Sequence, residues 1–386
     1  MRNKDMSENK NIQERILDAF TKSNLLVSLV VVFLGFLAGT VLILLVGRDP
    51  LNMYLSFLQV VSGWSIRWDF FRETWIIGFN SRNIGEWLVS SMPLILCGFS
   101  MAFAARTGLF NIGAEGQYIA GLTVAQFMAF YGPHIPVLHW MTAVIAAVCA
   151  GALWGGIVGF MKARFSVSEV VATIMMNHIA LFASRYFTRL IPGTSTFQTP
   201  PFPETARLSS PFLENLTNGS RLNLGLYLTI IAILFFWVVM GKTKLGYSLR
   251  ATGFNKEAAR YGGINVNANI TTAMAIAGAF AGLAGAIVSL GVFPSGRVLA
   301  GQDGFGFDGI AVALVGNSTA FGTAVSGLLF GMLRSAQPLM QARQIPREIS
   351  SIIMGLVVVF ISLRAGVNIL IDWQMKEKAR KGKSAE

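Results

Sequence analysis

The chain has 386 residues, of which 53% are hydrophobic and only 13% charged, with a formal net charge of +12. A soluble globule carries roughly a quarter of charged residues, so the composition excludes that class and indicates an integral membrane protein. The Lys and Arg gather in short segments between apolar runs, as flanks facing an acidic inner leaflet do, so the charge reports topology and gives no ground for a nucleic-acid partner.

A bilayer core takes about 20 apolar residues in helical form. That yardstick predicts crossings over 25–46, 86–105, 108–130, 137–161, 168–186, 223–240, 269–292, 304–316, 319–334 and 349–363. The first 24 residues are polar. The run after them is longer than a signal-peptide core and ends in no convincing cleavage site, so it is expected to stay as a first crossing with the amino terminus in the cytoplasm. Residues 47–84 set Trp64, Trp68 and Trp75 among scattered charges, the pattern of an outer interfacial amphipathic segment. A stretch rich in Pro, Ser and Thr separates the fifth and sixth crossings and is expected outside.

Beyond 240 the chain turns basic, with Lys242, Lys244, Arg250, Lys256 and Arg260 against a single acid, Glu257. This is the strongest cytoplasmic signal in the sequence. The expectation is an all-α polytopic protein of about ten transmembrane helices, forming one transmembrane domain over 1–386. Both termini lie inside, with a cytoplasmic loop over 241–268 and a cytoplasmic tail over 364–386. Arg334, Arg343 and Arg347 run against this count, because they fall on the outer side.

Small residues let helices approach closely in lipid. Gly151, Gly155 and Gly159 form one ridge, Gly278 and Gly282 a second, and Thr323, Gly327 and Gly331 a third. Cys97 and Cys149 sit in apolar runs without metal-ligand spacing and read as small core residues.

Polar residues inside apolar runs are costly and call for explanation. TGLFNIGAEGQ, residues 107–117, sets Asn111, Glu115 and Gln117 among Gly108, Gly113 and Gly116, with Phe110 beside them. In one reading Asn111, Glu115 and Tyr118 share a helix face lining an aqueous path. In the other the glycines break the helix, and Glu115 holds the bent backbone. A second stripe, Glu169, Thr173 and Asn177, stacks on one side of the fifth crossing, with Asn177 deep enough to face a pore. His178 has no partner at metal spacing among the three histidines and reads as a structural or interhelical hydrogen-bonding residue.

GQDGFGFDGIAVALVGN, residues 301–317, carries Asp303, Phe307 and Asp308 among glycines and shares the texture of 107–117. Two interrupted segments, one in each half, are what an internally repeated transporter supplies at its substrate site.

In the basic loop, Lys256 to Tyr261 reads as a short helix with Asn255 as N-cap and Gly262 and Gly263 closing it. Its charged side suits docking to a partner, although a plain positive-inside loop would carry the same charge. GKT at 241–243 lacks the glycine five residues upstream that a phosphate loop needs, since Phe236 stands there. The chain therefore has no Walker-type site, and no nucleophile-and-base or zinc spacing points to an enzyme.

Four segments in order, TGLFNIGAEGQ, SEVVATIMMN, LRATGFNKEAARYGGI and DGFGFDGIAVALVGN, resemble the membrane permease of a bacterial ABC importer of the branched-chain amino acid and simple-sugar group. The NIGAEGQ form is most similar to the nucleoside-importing members. The resemblance implies the importer permease fold, with helices 2–5 and 7–10 as related halves. It implies a second permease subunit, the same or different, an ATP-binding subunit carrying ATP and Mg, and an extracellular lipoprotein or periplasmic receptor, in the cytoplasmic membrane of a bacterium. No cofactor is expected in this chain.

The family's coupling helix falls on 250–264, so Arg250, Gly253, Asn255, Ala258, Ala259 and Arg260 are expected at the ATPase. Phe110, Asn111, Glu115, Gln117, Asn177, Phe307 and Asp308 are expected along the solute path. Ser168, where members often have Asn, and the acidic, Phe-rich 303–308 segment are departures that bear on solute identity. The function expected is ATP-driven nucleoside import by alternating access. The alternatives are simple-sugar or branched-chain amino acid import, an ion-coupled secondary transporter using Glu115 or Asp308, and a channel.

Overall fold

The computed structural model describes residues 24–69 and 74–360. The N-terminal segment before Asn24 and the tail from Arg364 lie outside the described residues. The chain divides into two compact units, residues 1–50 with 348–386, and 51–347. In the first, α1 (Asn24–Leu45) is a helix over the stretch expected to make the first crossing, and Gly35 lies against Val357 of the helix over Glu348–Phe360.

The second unit opens with α2 (Leu51–Ser62), which leads into an antiparallel hairpin of β1 (Trp64–Asp69) and β2 (Thr74–Phe79). The sequence reading foresaw an interfacial segment here but no hairpin. The tryptophans it took as interface anchors alternate with polar residues at the period of a strand.

The helices that follow are α3 (Arg82–Arg106), α4 (Ala114–Tyr131), α5 (Leu138–Phe165) and α6 (Glu169–Arg189). After β3 (Gln198–Pro201) and the short α7 (Pro211–Leu216) comes α8 (Gly225–Lys242). The basic loop folds as α9 (Lys244–Phe254) and α10 (Lys256–Tyr261), and α11 (Val266–Ile287) ends in a π turn over Val288–Val292. Then follow β4 (Ser295–Arg297), α12 (Phe305–Val315) and α13 (Ala320–Ala342).

Among the described residues five helices are long and apolar enough to cross a membrane: α3, α5, α6, α8, and α11 with its π turn. The chain is thus a mostly helical polytopic membrane protein. It is not purely helical, because β3 pairs with β4 as well as β1 with β2. The polar stretch before α8 is folded rather than loose. Phe202 N–H donates to the Pro294 carbonyl, Leu208 N–H to that of Leu290, and Arg221 pairs with Glu86 at 2.6 Å.

The glycine ridges meet as seams. Gly151 lies against Gly278 and Gly282, Gly155 against Met274 and Gly278, and Gly121 against Gly282, so α5, α11 and α4 approach backbone to backbone. The third ridge seats Gly327 on Ile95 and Gly331 on Ser91 of α3. Phe99 and Phe103 of α3 meet Phe236 of α8 and Phe280 of α11 at centroid distances of 5.0–6.0 Å.

Cys97 is buried in this core, but Cys149 is exposed, contrary to its reading as a core residue. It lies two residues before Gly151 and so turns away from the seam. His178 is likewise exposed and makes no hydrogen bond among the described residues, because its neighbour Asn177 takes the inward position on α6. Arg334 and Arg343, which ran against the charge count, are engaged inside this unit. Arg343 donates to the Asn52 carbonyl and the Gln59 side chain, and Arg334 to Asp308 and the Asp303 carbonyl.

Candidate functional site

The stretch 107–117 is a broken helix: α3 stops at Arg106, residues 107–113 form turns, and α4 begins at Ala114. Gly108 takes φ +73°, a conformation that disfavours a side chain. Of the two sequence readings, the interruption is the one observed, and Asn111 stands before the helix rather than on its face.

Every polar side chain of the segment is turned inward. Asn111, fully buried, donates to Ser100 Oγ at 2.9 Å and to Gln117 Oε1 at 3.0 Å, and its Oδ1 accepts from the Gly113 N–H at 3.0 Å. Gln117 also accepts from Ser100 Oγ. Asn177 of α6 spans the break from the other side. Its Oδ1 accepts from Gly116 N–H at 2.7 Å, and its Nδ2 donates to the Ile112 carbonyl at 3.0 Å. An interrupted helix frees backbone groups that lipid cannot satisfy, and these two amides answer that need.

Glu115 links the two interrupted segments. Its carboxylate accepts from Gly304 N–H at 2.8 Å and from Gly306 N–H at 2.6 Å, at the N-terminus of α12, while sitting in the first turn of α4. A carboxylate is stabilised at the positive end of a helix, and here it meets two such ends. Gly304 has φ +82°, and a Cβ on Gly306 would strike the Glu115 backbone. Glycine at these positions lets α12 start against α4.

One turn further along α4, the Tyr118 hydroxyl donates to Asp303 Oδ2 at 2.8 Å. Arg297 holds the same carboxylate through two nitrogens, at 3.2 and 2.6 Å, a strong planar pairing. Arg334 of α13 reaches Asp308 at 3.1 Å and the Asp303 carbonyl at 3.1 Å, with its guanidinium 3.8 Å from the centre of the Phe305 ring. This cluster remains partly open: the side chains of Asp308 and Arg334 are 30% and 27% exposed.

The residues expected on a path therefore divide. Asn111, Glu115 and Asn177 hold backbone in the packed interior and Gln117 holds the Asn111 and Ser100 side chains there, whereas Phe110, Phe307 and Asp308 are open to the outside of the chain. Sequence reading overlooked Tyr118, Arg297 and Arg334 as partners of the acidic segment. The signal that could have found them was the excess of arginine on the side expected to face outward together with two aspartates lacking local partners.

The basic loop is two helices hinged at Asn255. Its side chain caps α10 by accepting from the Glu257 and Ala258 N–H groups at 3.0 and 3.1 Å, and Gly262 and Gly263 close the helix as expected. Arg260 stands exposed, as do Phe254 and Tyr261, 94% and 93% exposed, which flank the capped turn. Ala259 is buried. Gly253 packs on the backbone of 106–108, so the loop abuts the start of the interrupted segment. Arg250 turns back toward Arg106 and lines a cavity with it.

Residues 83–362 match the family model described as branched-chain amino acid transport system / permease component. The guanosine ABC transporter permease protein NupP of Bacillus subtilis is 40% identical over 360 residues, 92% of this chain and 98% of that protein. The nucleoside ABC transporter permease protein NupB of Lactococcus lactis is 32% identical over 93% of this chain and 96% of its own length. The glucose ABC transporter permease protein TsgB13 of Haloferax volcanii is 31% identical over 72% and 76% of the respective chains. With its paired interruptions inside the region the family model spans, this chain belongs to the branched-chain amino acid transport system permease family.

Proposed function

We propose that this chain is the membrane-spanning permease subunit of an ATP-driven importer of nucleosides. The observation that carries the reading is similarity over nearly the whole length to two permeases named for guanosine and nucleoside transport. The reading includes a ten-helix fold of two related halves in a bacterial plasma membrane, with both termini inside. An ATP-binding subunit, a second permease and an outer receptor act with it.

The geometry supports a division of labour. Phe307, Asp308 and Arg334 offer an open surface of ring, carboxylate and guanidinium, which suits a flat base bearing hydroxyl and amide groups. The buried amides and Glu115 keep the two interruptions in register beside it. Phe254, Tyr261 and Arg260 form the docking face, and movement of the ATPase passes through Gly253 to Gly108 and on to α4 and α12.

The test is reconstitution of the chain with its ATPase, receptor and second permease in proteoliposomes, followed by uptake of labelled guanosine and uridine. ATP-dependent nucleoside uptake, undiminished by excess glucose or leucine, is expected. Uptake of glucose or leucine in place of nucleosides would replace the solute. Uptake by the chain alone, abolished by an ionophore and indifferent to ATP, would overturn the class.

A further inference from the structure

We propose that the cavity between α3, α8, α9 and α13 binds the phosphate headgroup of an anionic phospholipid, with the acyl chains running along the outer face of α8. The cavity has a volume of about 310 Å³ and is lined by Arg106, Phe236, Trp237, Met240, Gly241, Arg250, Thr319 and Ala320. At roughly 30 Å³ for each water in the liquid, this exceeds what one free phosphate fills. It has room for the glycerol joined to it.

The chemistry of the lining calls for an anion. Arg106 Nε donates to the Ser318 carbonyl at 2.8 Å, which fixes the guanidinium plane and leaves its terminal nitrogens without an acceptor among the described residues. Arg250 enters the same cavity, has no hydrogen-bonding or ion-pairing partner among the described residues, and repels Arg106. Two guanidinium groups lining one cavity, Arg106 fixed and Arg250 unpaired among the described residues, are a fork for phosphate oxygens. A third cation, Lys242, lies 5.8 Å from the Trp237 ring at the same end of α8.

The rest of the lining distinguishes a lipid from a free anion. Phe236, Trp237 and Met240 make one wall apolar. From Trp237, 44% exposed, a strip of Leu234, Ile231 and Ile230, 49%, 59% and 45% exposed, continues along α8. Tryptophan at headgroup level beside arginine, with an aliphatic track leading toward the membrane centre, is the amphiphilic pattern of a lipid site. Placing it in the inner leaflet rests on the orientation proposed above. The phosphate chemistry does not.

The test uses the complete transporter and reads lipid directly, so its outcome is independent of solute identity. A photoactivatable phosphatidylglycerol whose reactive group lies on the acyl chain is incorporated into nanodiscs with the wild-type complex, and adducts are mapped by mass spectrometry. Adducts on 230–240 are expected, competed by unlabelled phosphatidylglycerol but not by phosphatidylcholine. Arg106→Gln with Arg250→Gln should lower labelling roughly thirtyfold, the scale of removing two charges at a membrane surface. Should that variant not fold, the charge-preserving Arg106→Lys should lower labelling less than Arg106→Gln. Labelling elsewhere only, equal competition by phosphatidylcholine, or displacement by inorganic phosphate would each overturn the lipid assignment.

Discussion

Gly253 and Gly108 meet backbone to backbone. A Cβ on Gly253 would lie 2.5 Å from the Arg106 carbonyl oxygen, and one on Gly108 would lie 3.2 Å from the Gly253 Cα. The end of the basic loop thus rests on the first residues of the broken helix with no side chain between them. Gly253→Val should force these surfaces apart, at a cost of about 1–3 kcal/mol typical of overpacking. The expected outcome in proteoliposomes is continued ATP hydrolysis with uptake reduced at least about tenfold. Normal uptake would show that this contact carries no motion.

The two backbone bonds of Glu115 predict an effect on folding rather than on solute choice. Glu115→Gln retains one acceptor for the Gly304 and Gly306 N–H groups and turns an amide donor toward the other. Loss of a charge-assisted bond at a buried site costs about 1.5–3 kcal/mol. A lower melting temperature of the detergent-solubilised chain is expected, with the ranking of guanosine against uridine unchanged. A changed ranking at full stability would put this carboxylate on the path instead.

Asn177→Asp separates the two bonds that Asn177 makes. The carboxylate still accepts from Gly116 N–H but opposes the Ile112 carbonyl. Destabilisation of about 1–3 kcal/mol is expected from the stranded acceptor, and Asn177→Ala should be worse, because it leaves both backbone groups unmatched. Thermal unfolding of the two variants side by side reads the order.

Asp308 and Arg334 are partly open, so their attraction is screened and each is available to solute. Asp308→Asn and Arg334→Gln should each raise the KM for nucleoside uptake. The double variant should raise it by less than the product of the two, since the groups act as a pair. Strictly multiplicative effects would mean that they contact solute independently or not at all.

Phe254→Ser with Tyr261→Ser removes two nearly fully exposed rings from the proposed docking face. Exposed aromatics anchor interfaces, so co-purification of the ATPase should fall while the permease keeps its melting temperature. Undiminished co-purification would leave α10 without a docking role.

Much of this architecture was legible in the sequence because lipid imposes strict rules. Gly151, Gly155 and Gly278 announce their seam by spacing alone, and Asn255 announces its cap by preceding a short helical run closed by two glycines. The role of Asn177 was harder to read, because an amide facing a pore and an amide serving a broken helix have the same address on α6. The ends of the Asp308 and Arg334 side chains were harder still. Their pairing depends on how α12 and α13 cross, which no local periodicity encodes. The β1–β2 hairpin is hidden in the sequence because tryptophans that alternate along a strand also fit membrane anchors.

The glycine seam also bears on what can move. Where Gly151 of α5 meets Gly278 and Gly282 of α11 there is no side chain to slide or change rotamer, since carbonyl lies against backbone. A joint of that kind cannot shear by small steps, as any translation drives main chain into main chain. On that geometry α5 and α11 are expected to move as a single splint, so in the proposed transport cycle the opening falls to elements packed on them through side chains.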